Sequence, residues 1–234
     1  MENENKLLKG AIISFEGGEG CGKSTVIKLV KDKLETLGYK VIVTREPGGS
    51  EVGEDIRKVI MNYNMSSKTE LLLFLAARCD HYENIIKPNV DDGCIVLCDR
   101  FIDSTLVYQG MKMPSKEFHE LVNNVHNFIF DTDEKFMSAN ANYPHNFVAS
   151  YYLQLSNYKI GLDRIKSANR ETNRFDESKN EIHKTIKERY DYFYEVGLVS
   201  DKRQIINAEQ TPEEIADEIV DDILRKLKIK GYLK

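Results

Sequence analysis

Glycine, proline and cysteine are scarce in this chain: 14, 5 and 4 of 234 residues. That scarcity excludes a collagen-like or low-complexity polymer and a disulfide-stapled scaffold. The four cysteines (Cys21, Cys79, Cys94, Cys98) follow no zinc-ligand spacing. Cys94 and Cys98 flank an apolar run, where a thiol behaves as a small hydrophobe. No apolar run approaches the roughly 20 residues of a membrane-spanning helix. Basic excess is also missing, since 33 Lys and Arg against 38 Asp and Glu leave a net charge of −5. Non-specific binding to nucleic acid or to an anionic membrane draws on such excess, so neither is expected as a partner. The opening residues, Met1-Glu2-Asn3-Glu4-Asn5, are polar and acidic, unlike a secretory signal. These features lead to the expectation of a cytoplasmic protein with a small-molecule ligand.

What is present is enough for one domain with a sizeable core: 41% of the residues are hydrophobic. Neither a linker nor an internal repeat divides the chain, so a single domain over 1–234 is expected. Ala11 to Phe15 reads as a short apolar strand, and Ser24 to Leu37 recurs at helical spacing before Gly38 stops it. Further strands are predicted at Lys40 to Thr44, Cys94 to Cys98, Phe147 to Leu155 and Gln204 to Asn207. Helical runs are predicted at about 52–61 and 69–90. A last amphipathic helix begins at Thr211-Pro212-Glu213-Glu214, where a Thr cap, an early Pro and two acids suit a helix N-terminus. Strands that are apolar on both faces and alternate with helices indicate an α/β fold: a five-stranded parallel sheet flanked by helices in three layers. Ligands of such sheets bind beyond the carboxyl ends of the strands. Met111 to Tyr143 is the least legible stretch, either a helix plus a loop or an insertion.

Directly after the first strand comes Gly17-Gly18-Glu19-Gly20-Cys21-Gly22-Lys23-Ser24, followed by Thr25. It fits G-x-x-x-x-G-K-[ST], in which backbone N–H groups and a helix N-terminus cradle phosphates. Lys23 would meet the β- and γ-phosphates, and the Ser24 hydroxyl suits Mg²⁺. A strand before the motif and a helix after it are the context that distinguishes a phosphate loop from a chance glycine turn. Asp99 ends the third strand, where a carboxylate can reach Mg²⁺ directly or through water. The chain has only 10 Arg beside 23 Lys. Arg45 and Arg100 each fall at a strand end, with Arg57 and Arg78 also in the first half, and Arg164, Arg170 and Arg174 in one later segment. Guanidinium groups bind phosphate bidentately, so a ring of them around the loop suits phosphoryl transfer between two anions.

Seven segments together resemble the bacterial thymidylate kinases: Phe15 to Thr25, Thr44 to Ser50 (TREPGGS), Gly53 to Arg57, Thr69 to His81 (TELLLFLAARCDH), Cys98 to Gly110 (CDRFIDSTLVYQG), Arg170 to Asp176 and Asn207 to Gln210. They span nearly the whole chain in the family's order. The resemblance implies a P-loop NTPase-like fold with a lid at about 163–177, a homodimer, and transfer of a phosphoryl group from ATP with Mg²⁺ to dTMP. It implies that Gly17, Gly18, Glu19, Gly20, Cys21, Gly22, Lys23, Ser24 and Thr25 hold the ATP phosphates, with Glu19 also facing the acceptor's sugar. Ser24 and Asp99 would serve the metal. Arg45, Arg57 and Arg100 would grip the acceptor's phosphate. Phe74 would stack on the base, Arg78 and Gln109 would bond its edge, and Thr105 would also contact the acceptor. Tyr108 would crowd the sugar's C2′ and so favour deoxyribose. Arg164, Arg170 and Arg174 would come from the lid side, Arg174 acting on the transferred group, and Asn207 with Ala208 would line the adenine pocket. Phe74 and Arg78 are four apart and so share a helix face, although Phe74 also reads as a core residue within Leu71 to Leu75.

The chain departs from the family's pattern between about 111 and 146. Met111-Lys112-Met113 stands where an Ala-Arg-Gly segment is usual, Asn142 to Phe147 replaces the usual Gly-Leu-x-Pro-Asp-Leu entry, and the fourth strand lacks an acid at its end. Two alternatives stay open on sequence grounds: a kinase for another nucleoside or nucleotide, and a nucleotide-dependent switch. The switch would leave the seven placed arginines without a task, and no Asn-Lys-x-Asp for guanine recognition occurs.

Overall fold

The structure is a computed structural model that describes residues 7–132, 143–168, 174–196 and 201–233. Five strands form one sheet: β1 (Ala11–Glu16), β2 (Val41–Arg45), β3 (Ile95–Asp99), β4 (Phe147–Gln154) and β5 (Arg203–Asn207). Every pairing is parallel, in the order β2-β3-β1-β4-β5. Alternate side chains along the strands enter different cores, as a sheet covered on both faces requires. Ala11, Ile13 and Phe15 of β1, with Ile95 and Leu97 of β3, pack toward α1 (Lys23–Thr36) and α9 (Pro212–Ile229). Ile12, Val96 and Cys98 face the other way. They meet Leu71 and Leu75 of α3 (Ser67–His81), Leu106 of α5 (Ile102–Tyr108), Val122 of α6 (Lys116–Phe130) and Tyr190 of α8 (Asn180–Asp191). The three-layer α/β expectation holds, and Thr211 caps α9 in a reciprocal box with Glu214.

The register brings all strand ends to one rim. Asp99 pairs with Phe15 on one side and Arg45 on the other, Phe15 pairs with Tyr151, and Gln154 pairs with Asn207. The helix expected over 69–90 does form, running without a gap from 67 to 91, but not as one regular α-helix. After α2 (Glu51–Asn62), α3 ends at His81, a π turn covers Tyr82–Ile86, and α4 (Lys87–Asp91) carries Pro88 in its first turn. Proline has no N–H to continue the ladder, and one wider turn restarts the helix around it. Within the illegible stretch, residues 116–130 form α6, opened by Ser115 accepting from the Phe118 N–H. The helix α7 (Tyr158–Ser167) leads toward the expected lid.

Candidate active site

The loop between β1 and α1 is built to receive an anion. Gly22 caps α1 without any side-chain hydrogen bond, and no acid occupies the first turn, so the positive helix end is left open. Gly20 has a φ of 72°, and a Cβ there would lie 2.1 Å from the Gly161 carbonyl oxygen. Gly161 of α7 is equally tight, since its Cβ would meet the Glu19 oxygen at 2.2 Å. Two glycines thus seat α7 directly on the loop. Sequence reading missed Gly161, because its contact lies far away along the chain.

Lys23 Nζ donates to the Gly17 and Gly18 carbonyls at 3.2 and 3.4 Å and stands 4.0 Å from Asp99 Oδ1. Ser24 Oγ reaches Asp99 Oδ2 at 3.4 Å, and Asp99 Oδ1 is buried with no hydrogen-bond partner among the described residues. A hydroxyl beside an under-satisfied carboxylate is a set of hard oxygen donors that fits Mg²⁺. Arg100 takes a φ of 69°, outside the region most residues occupy, at a cost of about 1–3 kcal/mol. That turn lays its guanidinium across the loop, where it donates to Gly17 O at 2.8 Å and Glu19 Oε1 at 3.1 Å and lies over the Tyr108 ring. Glu19 also accepts from Tyr108 Oη at 2.7 Å, and its Oε2 lies 3.5 Å from His183 Nδ1 on α8. Burial alone would raise the Glu19 carboxyl, but His183 and Arg100 outweigh it and bring it down to about 2. Beneath the loop, Glu16 accepts from the Phe101 N–H, Ser104 and Tyr190. Burial first, then nearby Asp103, pushes its carboxyl up to about 7.

One cavity of about 540 Å³ is shared by two groups of residues. Gly20, Gly22, Lys23, Ser24 and Thr25 of the loop, with Asp99, line part of it, and Arg57, Phe74, Arg78, Thr105, Tyr108 and Gln109 line the rest. Glu19, Arg100 and Arg164 are on its wall as well. Phe74 is half-buried and joins neither core cluster. Arg78 is anchored on three sides, through Nε to Glu46 at 2.7 Å, Nη1 to His126 at 2.9 Å and Nη2 to the Phe101 carbonyl at 3.0 Å. Thr105 Oγ1 is buried in the wall with no partner among the described residues. Arg57 donates to the Pro47 carbonyl, and its pKa is lowered by burial and then by Arg45, a setting that favours an added anion.

Other expected site residues stand elsewhere. Arg45 is half exposed, paired with Glu54 at 2.9 Å, and does not line the cavity. Gly17 and Gly18 offer carbonyls to Lys23, and the Cys21 side chain is buried in the core. Asn207 Oδ1 accepts from the Glu209 N–H, while Arg164 Nη2 donates to the neighbouring Ala208 carbonyl at 3.1 Å. Arg174 does not reach the loop in this structure. It pairs with Glu70 of α3 at 2.7 Å, because that buried carboxylate draws cations, whereas the adjoining Phe175 and Asp176 do line the cavity. Arg170 and the lid residues 169–173 lie outside the described residues, as does part of the divergent segment, 133–142. Glu46, Glu70 and His183 were not singled out by sequence, though the first two fall within motifs quoted for the resemblance.

A phosphate loop entering the first helix at the centre of a 2-3-1-4-5 parallel sheet defines a P-loop nucleotide-binding protein, here with room for a second ligand beside the phosphates. The family model for thymidylate kinase matches residues 15–219. A thymidylate kinase of Orientia tsutsugamushi (strain Ikeda) is 34% identical over 221 residues, 94% of this chain and 95% of its own length. One from Caldicellulosiruptor saccharolyticus is 36% identical over 225 residues, 94% of this chain and all of its own. The crystal structure of thymidylate kinase from Ehrlichia chaffeensis has the same fold, with a TM-score of 0.65 over 93% of this chain and 99% of that one at 24% identity. The chain belongs to the thymidylate kinase family, a family of nucleoside monophosphate kinases.

Proposed function

We propose that this protein transfers the γ-phosphoryl group of ATP to dTMP, giving dTDP and ADP. The observation that carries the reading is the single cavity lined jointly by the phosphate loop and by Phe74, Arg78 and Gln109. Loop amides, Lys23 and the α1 N-terminus hold the donor's phosphates. An oxygen of the acceptor's 5′-phosphate attacks the γ-phosphorus as the bond to the β–γ bridging oxygen breaks, and the electron pair leaves with ADP. Chemistry of this kind needs positioning and charge neutralisation more than a covalent intermediate. Arg57 and Arg100 place and neutralise the acceptor phosphate, and Arg100 already spans from the third strand to the loop. Ser24 and Asp99 would hold Mg²⁺, which when bound would supply neutralisation of the phosphates' negative charge. Glu19 and Tyr108, bonded to each other, face the sugar, Arg164 beside Ala208 borders the donor's base, and Arg170 and Arg174 of the lid act on the transferred group, Arg174 by exchanging Glu70 for it, which leaves Glu70 to Lys112 and Gln109.

The protein would work in the cytoplasm as a homodimer. No described helix is long and apolar enough to cross a membrane. An ADP-release assay with dTMP, dUMP, UMP, CMP, AMP and GMP tests the reading. Turnover is expected to be fastest with dTMP, and a rate with CMP or AMP equal to that with dTMP would remove the thymine assignment.

A further inference from the structure

Gln109 and Glu70 form a buried pair whose chemistry fixes which way the glutamine amide faces. Gln109 Nε2 donates to Glu70 Oε1 at 2.9 Å, and the two residues are 1% and 2% exposed. A carboxylate has no donor, so only the NH₂ end of the amide can meet it. Lys112 Nζ reaches the same Oε1 at 2.7 Å, and Arg174 Nη2 reaches Oε2 at 2.7 Å. These partners keep the group ionised: its pKa is lowered although burial alone would raise it, with Lys112 and Gln109 the main opposing causes. The carbonyl Oε1 of Gln109 is left without a hydrogen bond among the described residues, on a side chain that lines the cavity. Arg78 lines the same cavity, and its guanidinium offers only donors.

We propose that Glu70 is a positioning residue for base selection, because it locks Gln109 with its carbonyl presented to the base. The inference rests on the monophosphate-acceptor reading above and says how that site chooses among pyrimidines. A 4-oxo pyrimidine carries an N3–H donor and an O4 acceptor, complementary to a carbonyl at Gln109 and a donor at Arg78. A 4-amino pyrimidine carries the reverse, an N3 acceptor and an N4 donor. It would therefore set acceptor against acceptor and donor against donor in a buried pocket. Thymine and uracil share the N3–H and O4 edge, so this device does not separate them.

The test compares kcat/KM for dTMP, dUMP and dCMP in wild type, Glu70→Gln and Lys112→Ala. An amide at 70 can present either its carbonyl or its NH₂, so Gln109 becomes free to turn. Glu70→Gln is expected to lower the dTMP-to-dCMP ratio by about tenfold or more, the scale of one mispaired buried hydrogen bond, and to leave the dTMP-to-dUMP ratio unchanged. Lys112→Ala removes another Glu70 partner but not the Gln109 bond, and should keep both ratios. Circular dichroism and direct binding of dTMP and dCMP to the folded variants separate a selectivity change from lost fold. If Glu70→Gln slows all three acceptors alike with the wild-type ratios intact, Glu70 is structural and the inference fails alone. A wild type that uses dCMP as well as dTMP overturns the acceptor reading and this inference together.

Discussion

Lys23 is held at the mouth of the loop by two backbone carbonyls, with its side chain 8% exposed and Asp99 4.0 Å away. A preorganised cation in such a place stabilises charge that grows during transfer, and removing one such group costs about 3–4 kcal/mol, or 10²–10³ in rate. Lys23→Ala should therefore reduce kcat at saturating ATP by about that factor or more. Near-normal turnover of the folded variant would refute the role. Glu16 bears on stability. Its folded pKa, about 7, lies above its ordinary 4.5, so the stability it contributes is complete below 4.5 and is lost as pH rises through 7. Glu19 runs the other way. Its value of about 2 means that its contribution is present above 4.5 and is lost only in acid. Thermal melts across pH 4.5 to 7 should show a wild-type Tm that falls more steeply than that of Glu16→Gln. Parallel curves would show that Glu16 does not titrate in that window. The loop and its Lys were legible because their spacing is itself the chemistry. Glu16, Glu70 and His183 were not, because their partners sit 88, 39 and 164 positions away.

Among the elements, the strands were readable because runs apolar on both faces have few other uses in a protein of this composition. The helix α5 is the opposite case. All seven of its residues, Ile102 to Tyr108, are buried, so no polar face marks the helical period. The π turn inside the 67–91 helix has only Pro88 as a sign in the sequence, and proline is tolerated in a first turn, so its presence did not locate that turn. The seating of α7 on the loop is tight. A methyl group at Gly161 would sit 2.2 Å from the Glu19 carbonyl, so loop or helix must move. Overpacking of this sort costs about 1–3 kcal/mol. Gly161→Ala should lower Tm and raise KM for ATP, and it should leave the binding of dTMP alone nearly unchanged. Equilibrium binding of each nucleotide, measured separately, checks this, and an unaltered ATP affinity would show that the loop does not depend on the contact.

The order of the sheet explains why these parts meet at all. β1 is central, so its loop lies between β3, which brings Asp99 and Arg100, and β4, beside which β5 brings Asn207 and Ala208. The residues proposed to hold the acceptor therefore gather on the β2–β3 side with α3, and the expected donor base on the β4–β5 side. On the former side α3 and the π turn after it touch α6 through Arg78 to His126 and through the edge-on rings of Tyr82 and Phe130. Both helices carry large apolar side chains that no described residue covers: Leu72 is 56%, Leu121 44% and Phe128 78% exposed, the last two on one face of α6. This is where the proposed second copy would sit, burying side chains that water otherwise meets. Such a dimer would brace α6, whose His126 holds Arg78, the residue proposed to meet the base. Phe128→Glu, which adds a charge to that face, should shift the protein from dimer to monomer in sedimentation velocity and raise KM for dTMP more than KM for ATP. A wild type that sediments as a monomer, or a variant that stays dimeric with unchanged kinetics, would place the subunit contact elsewhere or remove it.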